Sequence, residues 1–163
     1  QPIPMVSYMP GCGMSAFVTR QMRYVYDPKA KTLDCIGEIG KPKLEIDSFN
    51  LAKECTTDIS FSVSESDDGT YRISEMSSSE GKVVQSRDEV REFAEERARL
   101  DSAATLDLVK DALGEEFSES ELIDRFPKVL DEMTTIIVEK ALKAWDEFAE
   151  EEGIASKGGG CNS

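Results

Sequence analysis

The chain has 163 residues, enough for one domain or two closely joined halves, and enough to bury a sizeable core without disulfide staples. Hydrophobic residues make up 39 % and charged residues 32 %, the balance of a folded globule rather than a disordered chain. Nineteen basic against 33 acidic side chains leave a net charge of -14, which repels nucleic-acid backbones and anionic membrane surfaces and favours basic partners.

Residues 1–13, QPIPMVSYMPGCG, are rich in Pro and Gly and read as a flexible arm. Phe17–Asp27 then alternates, with Val18, Met22, Tyr24 and Tyr26 on one side, as a half-buried strand does. DPKAKT (Asp27–Thr32) is a turn with its backbone fixed by Pro28, and Leu33–Ile39 alternates again, so the two runs predict a hairpin. Leu44 and Ile46 mark an edge strand that opens near Pro42. Phe49–Thr56 fits either a crossing loop or a turn of helix.

Ile59, Phe61 and Val63 alternate with serines, and Tyr71 and Ile73 alternate beyond SDDG (Ser66–Gly69). A period of two on both sides of Asp68-Gly69 predicts a second hairpin. A calcium-loop reading competes with it, placing Ser64, Ser66, Asp68 and Glu75 at liganding positions. It lacks a carboxylate at the first position, and its flanks alternate like strands. A last short strand is expected at Val83–Val84.

From Ser86 the period becomes helical. SRDE (Ser86–Glu89) is a capping box that opens a helix ending at Gly114. Val90, Phe93, Ala94, Ala98, Leu100, Ala104, Leu108 and Ala112 share one arc, and Arg97 and Asp101 intrude into it. A bend or restart is expected at Asp101-Ser102. SESE (Ser118–Glu121) is a second capping box, opening a short helix to Arg125. Pro127 starts a final helix that Gly153 ends, and residues 153–163 form a Gly-rich tail.

That final helix carries two apolar strips. Val129, Met133, Ile136, Ile137, Ala141, Ala144 and Phe148 form an ordinary core stripe, together with Leu130. Val138, Leu142, Trp145 and Ala149 lie beyond it, and the joint arc spans about 240°. One sheet face does not cover so wide an arc. The preceding helix folding back is one cover. A protein partner or second copy is the other, which makes Val138, Leu142, Trp145 and Ala149 candidate partner-binding residues.

Catalytic chemistry is poorly served. With no histidine, Ser-His and Cys-His nucleophiles are excluded, and four scattered cysteines (Cys12, Cys35, Cys55, Cys161) with no C-x-x-C pair argue against zinc. Cys12 lies in GCG, with no base to activate it. A Cys35–Cys55 disulfide is open to the sequence but nothing demands one, and the expected location is the cytoplasm or another reducing compartment. No catalytic residue, cofactor or metal ligand is expected, and no stretch is long and apolar enough for a membrane helix.

The expected fold is α+β. An antiparallel meander of about five strands (14–85) precedes an acidic helical half of three or four helices (86–152). The charge is uneven: residues 1–85 hold 9 basic and 12 acidic side chains, net -3, and residues 86–163 hold 10 and 21, net -11. The favoured function is a non-enzymatic interaction protein, a small structural or accessory subunit of a larger assembly. The rivals are an acidic inhibitor or nucleic-acid mimic seated in a basic groove, and a small magnesium-dependent enzyme built on carboxylates.

Overall fold

The computed structural model describes residues 2–8, 16–76, 78, 80–113 and 116–154, with residues 2–8 and Phe17 described by backbone alone. The order is β1 (Pro2–Tyr8), β2 (Ala16–Asp27), β3 (Thr32–Glu38), β4 (Lys43–Ile46), α1 (Ser48–Thr56), β5 (Phe61–Glu65), β6 (Tyr71–Glu75), β7 (Gly81–Val84), α2 (Arg87–Leu113), α3 (Glu119–Arg125) and α4 (Pro127–Glu152). The fold is α+β, strands first and helices last. The strands divide into two antiparallel sheets instead of one meander.

The division falls where the sequence was ambiguous. Phe49–Thr56 lies in a helix: Asp47 caps α1 by accepting from the Asn50 N–H, and Leu51, Ala52 and Thr56 are buried. This helix interrupts strand succession, so β1–β4 pair among themselves and β5–β7 among themselves. Residues 2–8 correct the expectation of a flexible N-terminal arm: they form β1, paired antiparallel with Phe17–Arg23 of β2. An edge strand is where a sheet tolerates Pro2 and Pro4, which have no N–H to give the ladder. The proposed stop at Gly114, the GCG segment and residues 155–163 of the tail lie outside the described residues.

α2 and α4 form an antiparallel pair with an apolar core at each end. At one end Val109 and Leu113 of α2 meet Val129 and Met133 of α4, under Ala16, Val18 and Leu44 of the first sheet and Leu51 of α1. At the other, Val90, Phe93 and Ala94 of α2 meet Val138, Leu142 and Trp145 of α4, under Ile73 and Val84 of the second sheet. Helix ends follow the sequence: the Glu89 N–H donates to Ser86 Oγ, and the Gln85 N–H to Glu89 Oε1. Ser118 Oγ accepts from the Glu121 N–H, and Gly153 closes α4 at φ 70°.

α2 runs unbroken from Arg87 to Leu113, which corrects the expected bend at Ser102. Leu100 and Leu108, expected in its apolar arc, are exposed, while Arg97, Ser102 and Thr105 are buried. The buried face follows Val90, Ala94, Ala98, Ser102, Thr105, Val109 and Leu113, a regular helical stripe whose middle turns are polar.

Candidate functional site

The four residues nominated as a docking strip are brought together, but not at the surface. Trp145 is 1 % exposed, Ala149 0 %, Leu142 7 % and Val138 8 %. Tyr71 of β6 packs edge-on against the Trp145 indole, ring centres 5.9 Å apart, and against Phe148 at 5.7 Å. Phe61 of β5 packs edge-on against Phe93 of α2. The second apolar strip of α4 is therefore covered by the chain itself, by α2 from one side and by the three-stranded sheet from the other. Val138, Leu142, Trp145 and Ala149 are core residues, and the inferred docking strip is withdrawn. Of the two covers the sequence offered, a helix folding back is the one found, with α2 packed on the strip; the second sheet over its other side was not among them. Short strands rich in serine gave little sign that a second sheet closes over α4.

The calcium reading fails on register. Phe61 pairs with Glu75 and Glu65 with Tyr71, so Glu75 sits at the far end of the hairpin from its turn. Asp68 is held locally, its Oδ1 accepting from the Thr70 N–H and hydroxyl, which lowers its pKa. Gly69, at φ 83°, makes the turn as its sequence indicated.

Glu75 belongs instead to a polar layer between the two cores. Arg97 Nη2 of α2 donates to Glu75 Oε1 at 3.4 Å and to Ser78 Oγ at 3.1 Å. Glu75 is fully buried and Arg97 9 % exposed. Asp101 lies one turn further along α2. Burial pushes its carboxyl up to about 7, and Glu75 adds to the rise through a hydrogen bond and repulsion, against the pull of Arg97. One guanidinium facing two carboxyl groups is best served with one of them protonated. Nearby, Lys140 of α4 donates to the carbonyls of Thr56 at 2.6 Å and Ile59 at 2.9 Å, capping the C-terminal end of α1. A cleft of about 360 Å³ lies elsewhere, along Arg87, Leu142 and Asp146. Another of about 280 Å³ lies between Lys41, Leu44, Phe117 and Arg125.

Among the described residues, four exposed large apolar side chains gather on the far half of the β2–β3 hairpin. β1 pairs with β2 only as far as Arg23, and β4 pairs with Ala16–Thr19. Beyond Arg23, β2 has β3 as its only strand partner among the described residues. Every residue of β3 is exposed. Val25 is 49 % exposed, Tyr26 59 %, Leu33 57 % and Ile36 57 %. Direct pairing places Tyr24 opposite Cys35 and Tyr26 opposite Leu33, so these four share one face, and Val25 and Asp34 share the other. At the tip Asp27 Oδ1 accepts from the N–H groups of Lys29 and Ala30, and Lys31 adopts φ 57°. At the base the pairing is bulged between Arg23 and Tyr24, opposite Ile36. Sequence alternation located this hairpin. It did not reveal that Tyr26, Leu33 and Cys35 on one face and Val25 on the other are exposed, with Tyr24 half-buried. No protein-family model, curated protein or solved structure matches the chain.

Proposed function

We propose that this chain is a non-enzymatic interaction protein, a small structural or accessory subunit that docks on a protein partner through the β2–β3 arm. The observation that carries the reading is the arm's bareness: a two-stranded ribbon with Tyr26, Leu33, Val25 and Ile36 all about half exposed. An isolated hairpin is marginal in water, and clustered exposed apolar side chains mark contact surfaces. The absence of histidine supports the non-enzymatic part.

The acidic-mimic reading is less favoured, because several carboxylates of the helical half are engaged within the chain. Asp146 receives Arg87 at 3.0 and 3.1 Å, and Glu96 and Glu119 pair with Arg99 and Lys110. The raised Asp101 pKa is the observation on the side of a carboxylate enzyme; the residue is half-buried and its Oδ2 is shut off from solvent, which weighs against substrate access.

A photo-crosslinking amino acid in place of Leu33, compared with one in place of Leu108 on α2, tests the proposal in cells that make the protein. The expected result is a discrete protein adduct from position 33 and none from position 108, which is also exposed. No adduct from position 33 would overturn it.

A further inference from the structure

We infer that the occupant of the arm is a second copy of this chain, the two arms packing through the face formed by Tyr24, Tyr26, Leu33 and Cys35. The inference rests on the docking role proposed above for the arm and adds the identity of the partner.

Charge is the first argument. Residues 23–38 carry three basic side chains (Arg23, Lys29, Lys31) and three acidic ones (Asp27, Asp34, Glu38), net zero in a chain of net -14. Two copies repel wherever their bodies approach, and the arm is a neutral place to meet. The second argument is reach. Tyr24–Asp27 adds about four residues at 3.4 Å each, roughly 14 Å before the turn. Two arms overlapped tip to base keep the acidic bodies about that far apart, beyond the Debye length of about 8 Å at physiological salt. The same overlap carries Lys29 and Lys31 of each tip toward the acidic body of the other copy.

The face itself is the third argument. Tyr24, Tyr26, Leu33 and Cys35 present no charge, whereas Asp34 interrupts the opposite face beside Val25. An isologous contact through one face is the usual form of a two-fold dimer. The other edges of this sheet are less available: β1 carries Pro2 and Pro4, and β4 is four residues long. Four side chains from each copy make a small interface, so a reversible dimer of micromolar affinity is expected.

The test is sedimentation equilibrium of the purified full chain over roughly 1–200 μM, a range set by that interface size. The expected result is a monomer–dimer equilibrium weakened at least about tenfold by Leu33→Ser or Tyr26→Ser. Val25→Ser, on the opposite face, and Leu108→Ser, on α2, should leave it unchanged. All four positions are exposed, so the variants keep the core, and urea midpoints check this. With Cys12, Cys55 and Cys161 changed to Ser, a short bis-maleimide should link Cys35 to Cys35 of the other copy. A monomer throughout the range overturns the inference, as does a dimer weakened by Leu108→Ser or Val25→Ser but not by Leu33→Ser. A monomer that still gives a position-33 adduct with a different protein refutes the second copy alone and leaves the docking role standing. A monomer with no adduct refutes both.

Discussion

Replacing Trp145 by alanine separates a core role from a docking role, because the two make opposite predictions. The indole is 1 % exposed, packs edge-on against Tyr71 at 5.9 Å and lies 6.2 Å from Phe148. Truncating a buried Trp to Ala typically costs about 3–5 kcal/mol, the lost transfer energy plus the cavity left behind. Aromatic pairing contributes about 0.5–1.5 kcal/mol beyond area, which favours the upper part of that range. The indole N–H has no hydrogen-bond partner, so no polar group is orphaned by its removal. A loss of about 4 kcal/mol, at a urea slope of about 2 kcal/mol per molar, moves the unfolding midpoint down by about 2 M. That is a large share of the roughly 5–15 kcal/mol that holds a domain folded. Equilibrium urea unfolding followed by circular dichroism reads it. Trp145 is the sole tryptophan, so the wild type adds a check: its emission should be blue-shifted and protected from acrylamide. A midpoint shift under about 0.5 M, with a change in oligomeric state, would refute the core reading and restore the docking strip.

The polar layer makes two further predictions. The Asp101 carboxyl is raised from its ordinary 3.8 to about 7, so the folded state holds a proton that the unfolded state releases. Stability from this group is therefore full below about pH 4, falls as pH rises toward 7, and is flat above. The full interval corresponds to about 4 kcal/mol, and solvent screening of a half-exposed carboxyl reduces it to about 1–2 kcal/mol. Unfolding free energies from urea titrations at pH 5 and pH 8 take in about two of those three pH units, so they should differ by about 1 kcal/mol in the wild type and converge in Asp101→Asn; an unchanged slope in the variant would contradict the assignment. Lys140→Met removes the donor to the Thr56 and Ile59 carbonyls and should cost about 1–3 kcal/mol, as charged hydrogen bonds to buried groups do. Hydrogen exchange should quicken in α1 before it does in α2, and equal quickening of both would count against a local cap.

The sequence carried most of the elements because local signals agreed with tertiary need. The alternation across Asp68-Gly69, the Ser86 and Ser118 caps, Pro127 and Gly153 all stand where the residues placed them. Failures fall where a local pattern has two physical meanings. Pro2 and Pro4 look like loop, yet an edge strand accepts them because its outer ladder is empty. The middle of α2 looks like a break because Asp101 and Ser102 interrupt its apolar stripe. They interrupt it because the helix passes between two cores, where Glu75, Arg97 and Asp101 form a polar layer. The partner of Arg97 was unreadable for the same reason: four residues separate it from Asp101, but the ion pair spans to Glu75 on another element. On α4 the breadth of the apolar arc is legible and so is one of its covers, the helix folded back on it, whereas the second sheet is not. Breadth counts the surfaces a helix must meet and does not say which chain supplies them.

The arm reflects a mismatch of lengths. β2 has 12 residues, whereas β1 has 7, β3 has 7 and β4 has 4. At about 3.4 Å per residue β2 is roughly 40 Å long, as long as α2 at 1.5 Å per residue. Yet among its described side chains only Ala16 and Val18, at the N-terminal end, enter a core. Ordering each residue of the remainder costs about 1–2 kcal/mol of backbone entropy. Cross-strand pairs such as Tyr26 with Leu33 return about 0.2–1 kcal/mol each. Extending the strand past its core is therefore a net cost to the isolated chain. Side chains that served only solubility would be polar along the extension. Here they are Tyr24, Val25, Tyr26, Leu33 and Ile36, so the isolated fold lacks a burial that the proposed contact through the Tyr26–Leu33 face would supply.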